Sequence, residues 1–166
     1  MLENLGRIIN YQKMKEIQVG DLLPSFSLKN QLGVWVDSND WKGNPVVVYF
    51  YPSDFTRVCT AQACFFKDSY KDFEQFNARV VGISPDSVIS HRQFAIRYEL
   101  PFDLLSDNHD TVSNLFGVPK GMLGMVAGRV TYVFDAGGKL ALRYQAEIKA
   151  KEHVLKALEA LKKLSS

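Results

Sequence analysis

Cysteine is scarce in this chain, with two in 166 residues. That excludes a scaffold held together by a disulfide framework. Histidine is scarcer than a metal centre wants. The three, at His91, His109 and His153, stand far apart, with no His-x-x-x-His or Cys-x-x-Cys pattern. The expectation is no metal and no cofactor, with all three histidines exposed or satisfied locally. No apolar run approaches the roughly 20 residues that span a bilayer. Charge nearly cancels, with 20 basic against 18 acidic residues, so neither nucleic acid nor a membrane surface is expected as a partner. Repeats and low-complexity segments are absent. Met1 to Ile17 carry no continuous apolar core and no small-residue cleavage site of a secretory signal. Arg7 and Lys13 with Ile8, Ile9 and Tyr11 leave room for a weak amphipathic transit segment, but Glu3 and Glu16 argue against it. The expected location is cytoplasmic.

What is present is ordinary for a globular protein: 46% hydrophobic and 23% charged residues, enough chain for one domain with a sizeable core. Val19-Gly20-Asp21 and Pro24 open that domain, giving an extension over 1–18 and a globular unit over 19–166. Phe26-Ser27-Leu28 and Val34-Trp35-Val36 flank the turn Asn30 to Gly33 and predict an N-terminal hairpin, with a loop or short turn over Ser38 to Gly43. The run Val46 to Tyr51 predicts a strand buried on both faces. A helix over about Val58 to Phe76 follows, with Phe65, Phe66, Tyr70, Phe73 and Phe76 at helical spacing and charges largely between them.

Val80 to Ser84 predicts a second buried strand. A helix capped by Asp86 or Ser87 runs to Tyr98, with Val88, Phe94 and Ile96 among its apolar residues. Pro101 to Leu105 predicts a short strand and Thr111 to Phe116 a short helix capped from the Asp107 to Asp110 region. Val118 to Ala127 reads as a loop. Arg129 to Phe134 and Lys139 to Tyr144, joined by Asp135-Ala136-Gly137-Gly138, predict a hairpin. Lys151 to Leu164 predicts an amphipathic helix with Val154, Leu155, Leu158, Leu161 and Leu164 on one face. This order predicts an α/β thioredoxin-like fold: a mixed central sheet flanked by helices, with the N-terminal hairpin as an addition.

Both cysteines lie in Pro52-Ser53-Asp54-Phe55-Thr56-Arg57-Val58-Cys59-Thr60-Ala61-Gln62-Ala63-Cys64, directly after the first buried strand. A thiolate, not a thiol, is the nucleophile. A helix start offers unpaired N–H groups and the positive end of the dipole to such an anion. Pro52 ends the strand and can wall off one side of a pocket. Thr56, three residues before Cys59, suits both an N-cap and a hydroxyl near the sulfur. Residues five apart on an α-helix have Cα atoms about 8.6 Å apart, beyond the roughly 4.4–6.8 Å of a disulfide. Cys59 and Cys64 therefore bond only if the helix between them unwinds.

Pro52-x-x-x-Thr56-x-x-Cys59 after a buried strand resembles the signature of the peroxiredoxins. Cys64 resembles the resolving cysteine of their bacterioferritin-comigratory-protein or PrxQ branch. The likeness extends from Val19-Gly20-Asp21 to the last helix. It includes Arg129 in Gly128-Arg129-Val130-Thr131-Tyr132-Val133-Phe134-Asp135, matching an arginine that family members point at the cysteine. Arg57-Val58 stand where many relatives have Pro-Gly, and Gln62 where many have Glu. The resemblance implies a thiol peroxidase without cofactor. Cys59 is then the peroxidatic and Cys64 the resolving cysteine, with Thr56, Arg129 and Pro52 completing the site. It further implies a hydroperoxide substrate, recycling by thioredoxin or a glutaredoxin-type dithiol, and a monomer or weak homodimer. Two other readings of the residues stand beside it: a thiol–disulfide oxidoreductase, whose usual Cys-x-x-Cys is missing here, and a redox-sensing module.

Overall fold

The computed structural model describes residues 15–121, 124 and 128–166. The amphipathic pattern before residue 15 and part of the Val118 to Ala127 loop lie outside the described residues. A hairpin comes first, β1 (Ser27–Lys29) and β2 (Trp35–Asp37), then a 3-10 turn over Ser38–Trp41. The centre alternates strand and helix: β3 (Val46–Phe50), α1 (Arg57–Asp68), α2 (Tyr70–Gln75), β4 (Arg79–Ser84), α3 (Val88–Tyr98), β5 (Asp103–Ser106) and α4 (Thr111–Phe116). A second hairpin, β6 (Val130–Phe134) and β7 (Leu140–Gln145), leads to α5 (Ala150–Leu164). No helix among the described residues is long and apolar enough to cross a membrane.

The seven strands form one sheet in the order β2-β1-β5-β4-β3-β6-β7. β3, β4 and β5 are parallel; β6 and β7 run antiparallel, and the N-terminal hairpin joins through β1 against β5. This is the thioredoxin-like mixed sheet that the element order predicts. Both β-α-β crossovers, being right-handed by rule, put their helices on one face. There Val47, Tyr49 and Tyr51 pack with Phe66 and Phe73 of the first two helices, Phe94 of α3, and Val154, Ala157 and Leu161 of α5. The alternate residues Val46, Val48 and Phe50 face the other way, against Trp41, Phe116 and Phe26, as the two-residue period of a strand requires. Gly82 of β4 makes the first face possible. A Cβ there would lie 2.8 Å from Tyr49 Cζ and 2.9 Å from Leu104 Cδ2, both locked in the core.

The structure corrects two local readings. The single helix from Val58 to Phe76 is two helices, because Ser69 (φ −97°, ψ 7°) leaves helical geometry; serine competes for local hydrogen bonds and weakens a helix interior. Of the apolar residues named in α3, Phe94 is buried and Ile96 is 71% exposed. In α5, Leu155 and Leu164 lie outside the buried stripe, which instead takes in Ala150, His153 and Ala157. Small residues let that helix sit close on α1. The caps hold: Ser87 Oγ accepts from Ser90 N, and the Asp107 carboxylate accepts from Val112 N and Ser113 N.

Lys15 to Gln18 run along the face that carries α4. Ile17 N–H donates to Phe116 O, and the Glu16 carboxylate accepts from Arg143 and from Tyr132 OH.

Candidate active site

The site lies at the carboxyl end of β3. The chain leaves the strand at Tyr51, turns at Pro52, and enters α1 with Thr56 as N-cap and Cys59 as the third helical residue. The Thr56 side chain makes no cap bond; its hydroxyl donates to Ser53 O at 2.9 Å instead. Two consequences follow. The first N–H groups of α1 keep their orphan donors, and the Thr56 oxygen, having committed its proton, has lone pairs left to accept. Among the described residues no hydrogen bond joins Thr56 to the sulfur. Cys59 is only 2% exposed, and Pro52, just past the end of β3, is half-buried. Arg57 is exposed.

Strand register brings Arg129 to this helix. β6 runs antiparallel to β3, so Phe50 at the end of β3 pairs with Val130 at the start of β6. The residue before Val130 is therefore level with the residues that lead into α1. Arg129 is buried, and its Nη2 donates to Cys59 Sγ at 3.1 Å. Nη1 donates to Gln62 Oε1 at 2.6 Å, and Nε donates to Glu147 O at 2.9 Å. Gln62 lies one helical turn after Cys59 on the same face, fully buried. The guanidinium thus meets a side-chain amide oxygen at Nη1 and a backbone carbonyl at Nε, both neutral acceptors, and the sulfur at Nη2, while the Glu147 carboxylate accepts from the Arg129 backbone N–H at 3.4 Å. Gly128 lets Glu147 come this near, since a Cβ there would sit 2.9 Å from Glu147 Oε1 and 3.0 Å from Pro119 O.

Cys64 lies on the same unbroken helix as Cys59, and both are free thiols. Burial pushes the Cys64 thiol up from its ordinary range, with Lys67 pulling it the other way. Burial also pushes the Tyr49 and Tyr51 phenols well up, so both stay protonated.

Two histidines expected to be exposed or locally satisfied are neither. His91 and His153 are completely buried. His91 Nδ1 meets Asp54 Oδ2 at 2.7 Å across 37 positions of sequence. His153 of α5 pairs with Thr131 Oγ1 and Ala146 O, each at 2.8 Å. Ala146 N in turn donates to Arg129 O, so His153 braces the segment whose next residue, Glu147, holds the guanidinium. Burial, the main cause, lowers His153 to about 4 from its ordinary 6.5. A base depressed in the fold stays neutral there while the unfolded chain takes up a proton. Stability is therefore expected to fall as pH drops from about 6.5 to about 4, by about 3 kcal/mol, and to level off below. Urea unfolding of the native chain and of His153→Gln at pH 7 and pH 4.5 checks this: the variant should lose distinctly less on acidification.

With this geometry in place, likenesses to known proteins become informative. The AhpC/TSA family matches residues 19–143. Peroxiredoxin Q, chloroplastic, of Sedum lineare is 47% identical over 150 residues, covering 89% of this chain and 81% of its own. The protein of the same name from Arabidopsis thaliana is 44% identical over 147 residues, covering 89% and 68%. Among solved structures, peroxidoxin BcpB of Mycobacterium tuberculosis superposes with a TM-score of 0.84 at 35% identity, covering 91% of this chain and all of its own. The bacterioferritin comigratory protein of Xanthomonas campestris, described for its alkyl peroxide reduction activity, does so at 0.78 and 27%, covering 85% and 92%. The plant names overturn the cytoplasmic expectation, because they point to a plastid. Composition of a globular unit carries no address; a transit segment does, and it is removed after use. The chain belongs to the AhpC/TSA family and, within it, to the peroxiredoxins Q.

Proposed function

We propose that Cys59 is the peroxidatic cysteine of a thiol-dependent peroxidase and Cys64 its resolving partner. The observation that carries this is the guanidinium of Arg129 at 3.1 Å from a buried sulfur in the first turn of a helix. The Cys59 thiolate attacks one oxygen of a hydroperoxide in line. The O–O bond breaks, the sulfur is oxidised to a sulfenic acid, and the other oxygen leaves as water or an alcohol after taking a proton. Charge moves from sulfur to the two oxygens during this step. Arg129 and the orphan N–H groups of Val58 and Cys59 face that region, and fixed donors in a dry site stabilise developing charge more than water does. Thr56, with its own proton held by Ser53 O, accepts from the protonated peroxide oxygen. Pro52 shields the sulfur from water.

α1 then unwinds and the Cys64 thiol attacks the sulfenic sulfur, forming an intramolecular disulfide and releasing water. Unwinding also frees Cys64 from the burial that keeps it protonated, which makes it a better nucleophile at the moment it is needed. An external dithiol, thioredoxin or a glutaredoxin-type protein, restores both thiols by exchange. Both cysteines lie on one helix of one chain, which supports a cycle completed by a monomer or weak homodimer. The family match beginning at residue 19 supports 19–166 as the catalytic unit, with 1–18 an extension. The plastid is the compartment that the relatives' names favour.

Cys64→Ser separates the two cysteines. The variant should consume about one equivalent of peroxide at the native rate and then stall in a thioredoxin-coupled assay, with the sulfenic acid trapped by dimedone. Full thioredoxin-dependent turnover by the variant would remove Cys64 from the cycle.

A further inference from the structure

The connection from Tyr51 to Thr56 carries two of the proposed site residues, Pro52 and Thr56. The Asp54 side chain ties it to the rest of the molecule by hydrogen bonds. Asp54 Oδ1 accepts from Tyr51 OH at 2.6 Å, while Oδ2 accepts from Ser90 Oγ at 2.8 Å and meets His91 Nδ1 at 2.7 Å. The Asp54 N–H donates to Asp86 Oδ2 at 2.8 Å, an oxygen that also accepts from Ser84 Oγ. His91 Nε2 faces Leu105 O at 3.1 Å. Both ring nitrogens thus lie within hydrogen-bond distance of oxygen atoms on other elements. The pair is shut off from water, with side chains 0% and 1% exposed.

The next residue, Phe55, holds a left-handed backbone (φ 63°), a conformation that costs a non-glycine residue energy and persists only where the surroundings enforce it. Its ring lies on Phe94 and Tyr98 of α3. The ligand atoms of Asp54, Asp86 and His91 all lie within 4.8 Å of one another. The direct carboxylate–imidazole contact leaves no gap for an ion, so the cluster is a closed hydrogen-bonded network.

We propose that Asp54 and His91 are positioning residues of the peroxidase cycle, a latch that governs how readily α1 lets go of Cys59. The inference rests on the peroxidase reading above. α1 starts three residues after Asp54. While Asp54 is fixed, all the slack for a Cys59–Cys64 disulfide must come from the helix itself. Once the latch opens, the residues between Asp54 and α1 contribute slack as well, and unwinding becomes easier. The same opening frees Thr56, which the first step needs in place. Weakening the latch therefore moves the two steps in opposite directions: sulfenic acid formation slows and disulfide formation speeds up. A sulfenic acid that is resolved faster escapes a second peroxide, which would carry it to the sulfinic acid.

The test uses the full chain with hydrogen peroxide, rapid quench and mass spectrometry of the Cys59 state. Losing one hydrogen bond in Ser90→Ala should speed disulfide formation roughly threefold and raise the peroxide needed for half-maximal sulfinic acid by about the same factor. His91→Asn should do so by about tenfold, since it removes a charge-assisted bond. Val112→Ala, a core truncation in α4 on the opposite face, controls for general loss of stability and should leave the ratio unchanged. An unchanged or reversed ratio in Ser90→Ala, or an equal shift in the control, overturns the latch. Ser90→Ala decides alone if His91→Asn does not fold. Native protein that forms neither sulfenic acid nor disulfide would overturn the peroxidase reading and the latch with it. Native protein that cycles while Ser90→Ala behaves identically would overturn the latch only.

Discussion

Cys59→Ser is expected to abolish peroxide reduction, lowering the thioredoxin-coupled rate by at least about three orders of magnitude. Serine fills nearly the same volume, so α1 and its packing should survive. What goes is the chemistry. A hydroxyl does not ionise near neutral pH even beside a guanidinium, and oxygen has no counterpart to the sulfur oxidation ladder. Peroxide consumption with reductant in excess, beside circular dichroism to establish folding, measures this directly. A folded variant that retained activity would put the reacting atom elsewhere.

Arg129→Met is expected to have the next largest effect. Removing a fixed donor from a site of developing negative charge costs roughly 10²–10³ in rate. Here the lost group is also the side-chain donor to Cys59 Sγ. The substitution orphans the buried Gln62 Oε1 and the partly buried Glu147 O, both partners of the guanidinium, so some loss of stability should accompany it. Arg129→Lys separates charge from geometry. An ammonium keeps the charge but lacks the planar fork that reaches sulfur, amide and carbonyl together. Its rate should fall between the native chain and Arg129→Met. Second-order oxidation of Cys59, followed by quench and mass spectrometry, ranks the three. Equal rates for all three would mean that the guanidinium holds the fold and not the reaction.

How far the sequence reveals all this depends on the range over which a residue finds its partners. Val46 to Phe50 are buried on both faces of the sheet, and an unbroken β-branched and aromatic run says so by itself. The helix that follows and the place of Cys59 near its start are equally local. The need for α1 to unwind before Cys64 can reach Cys59 is arithmetic on one helix. Arg129 is different. Its partner is 70 positions away, and only the family resemblance picks it out from other arginines at strand starts. The β3–β6 register, which explains its placement, is invisible before the strands are paired.

The same limit hides Asp54 and His91. A lone aspartate in a connection and a lone histidine on a helix carry no periodic signal, and their bond spans 37 residues. His153 falls on the buried stripe of α5 with Ala150 and Ala157, where an apolar pattern looks for leucines. The apolar count misleads there because close helix packing favours small residues, and a buried ring can be satisfied by Thr131 and Ala146 O. Glu147 contributes to the site through its backbone carbonyl, a group that residue type does not announce.

The most direct test of the central claim is intact and peptide mass spectrometry of the native chain after one equivalent of hydrogen peroxide. The expected product is lighter by two hydrogen atoms, with Cys59 joined to Cys64 in a single peptide, and reverts fully on adding reduced thioredoxin. A chain left unchanged, or one oxidised at its methionines while both thiols stay free, would contradict it.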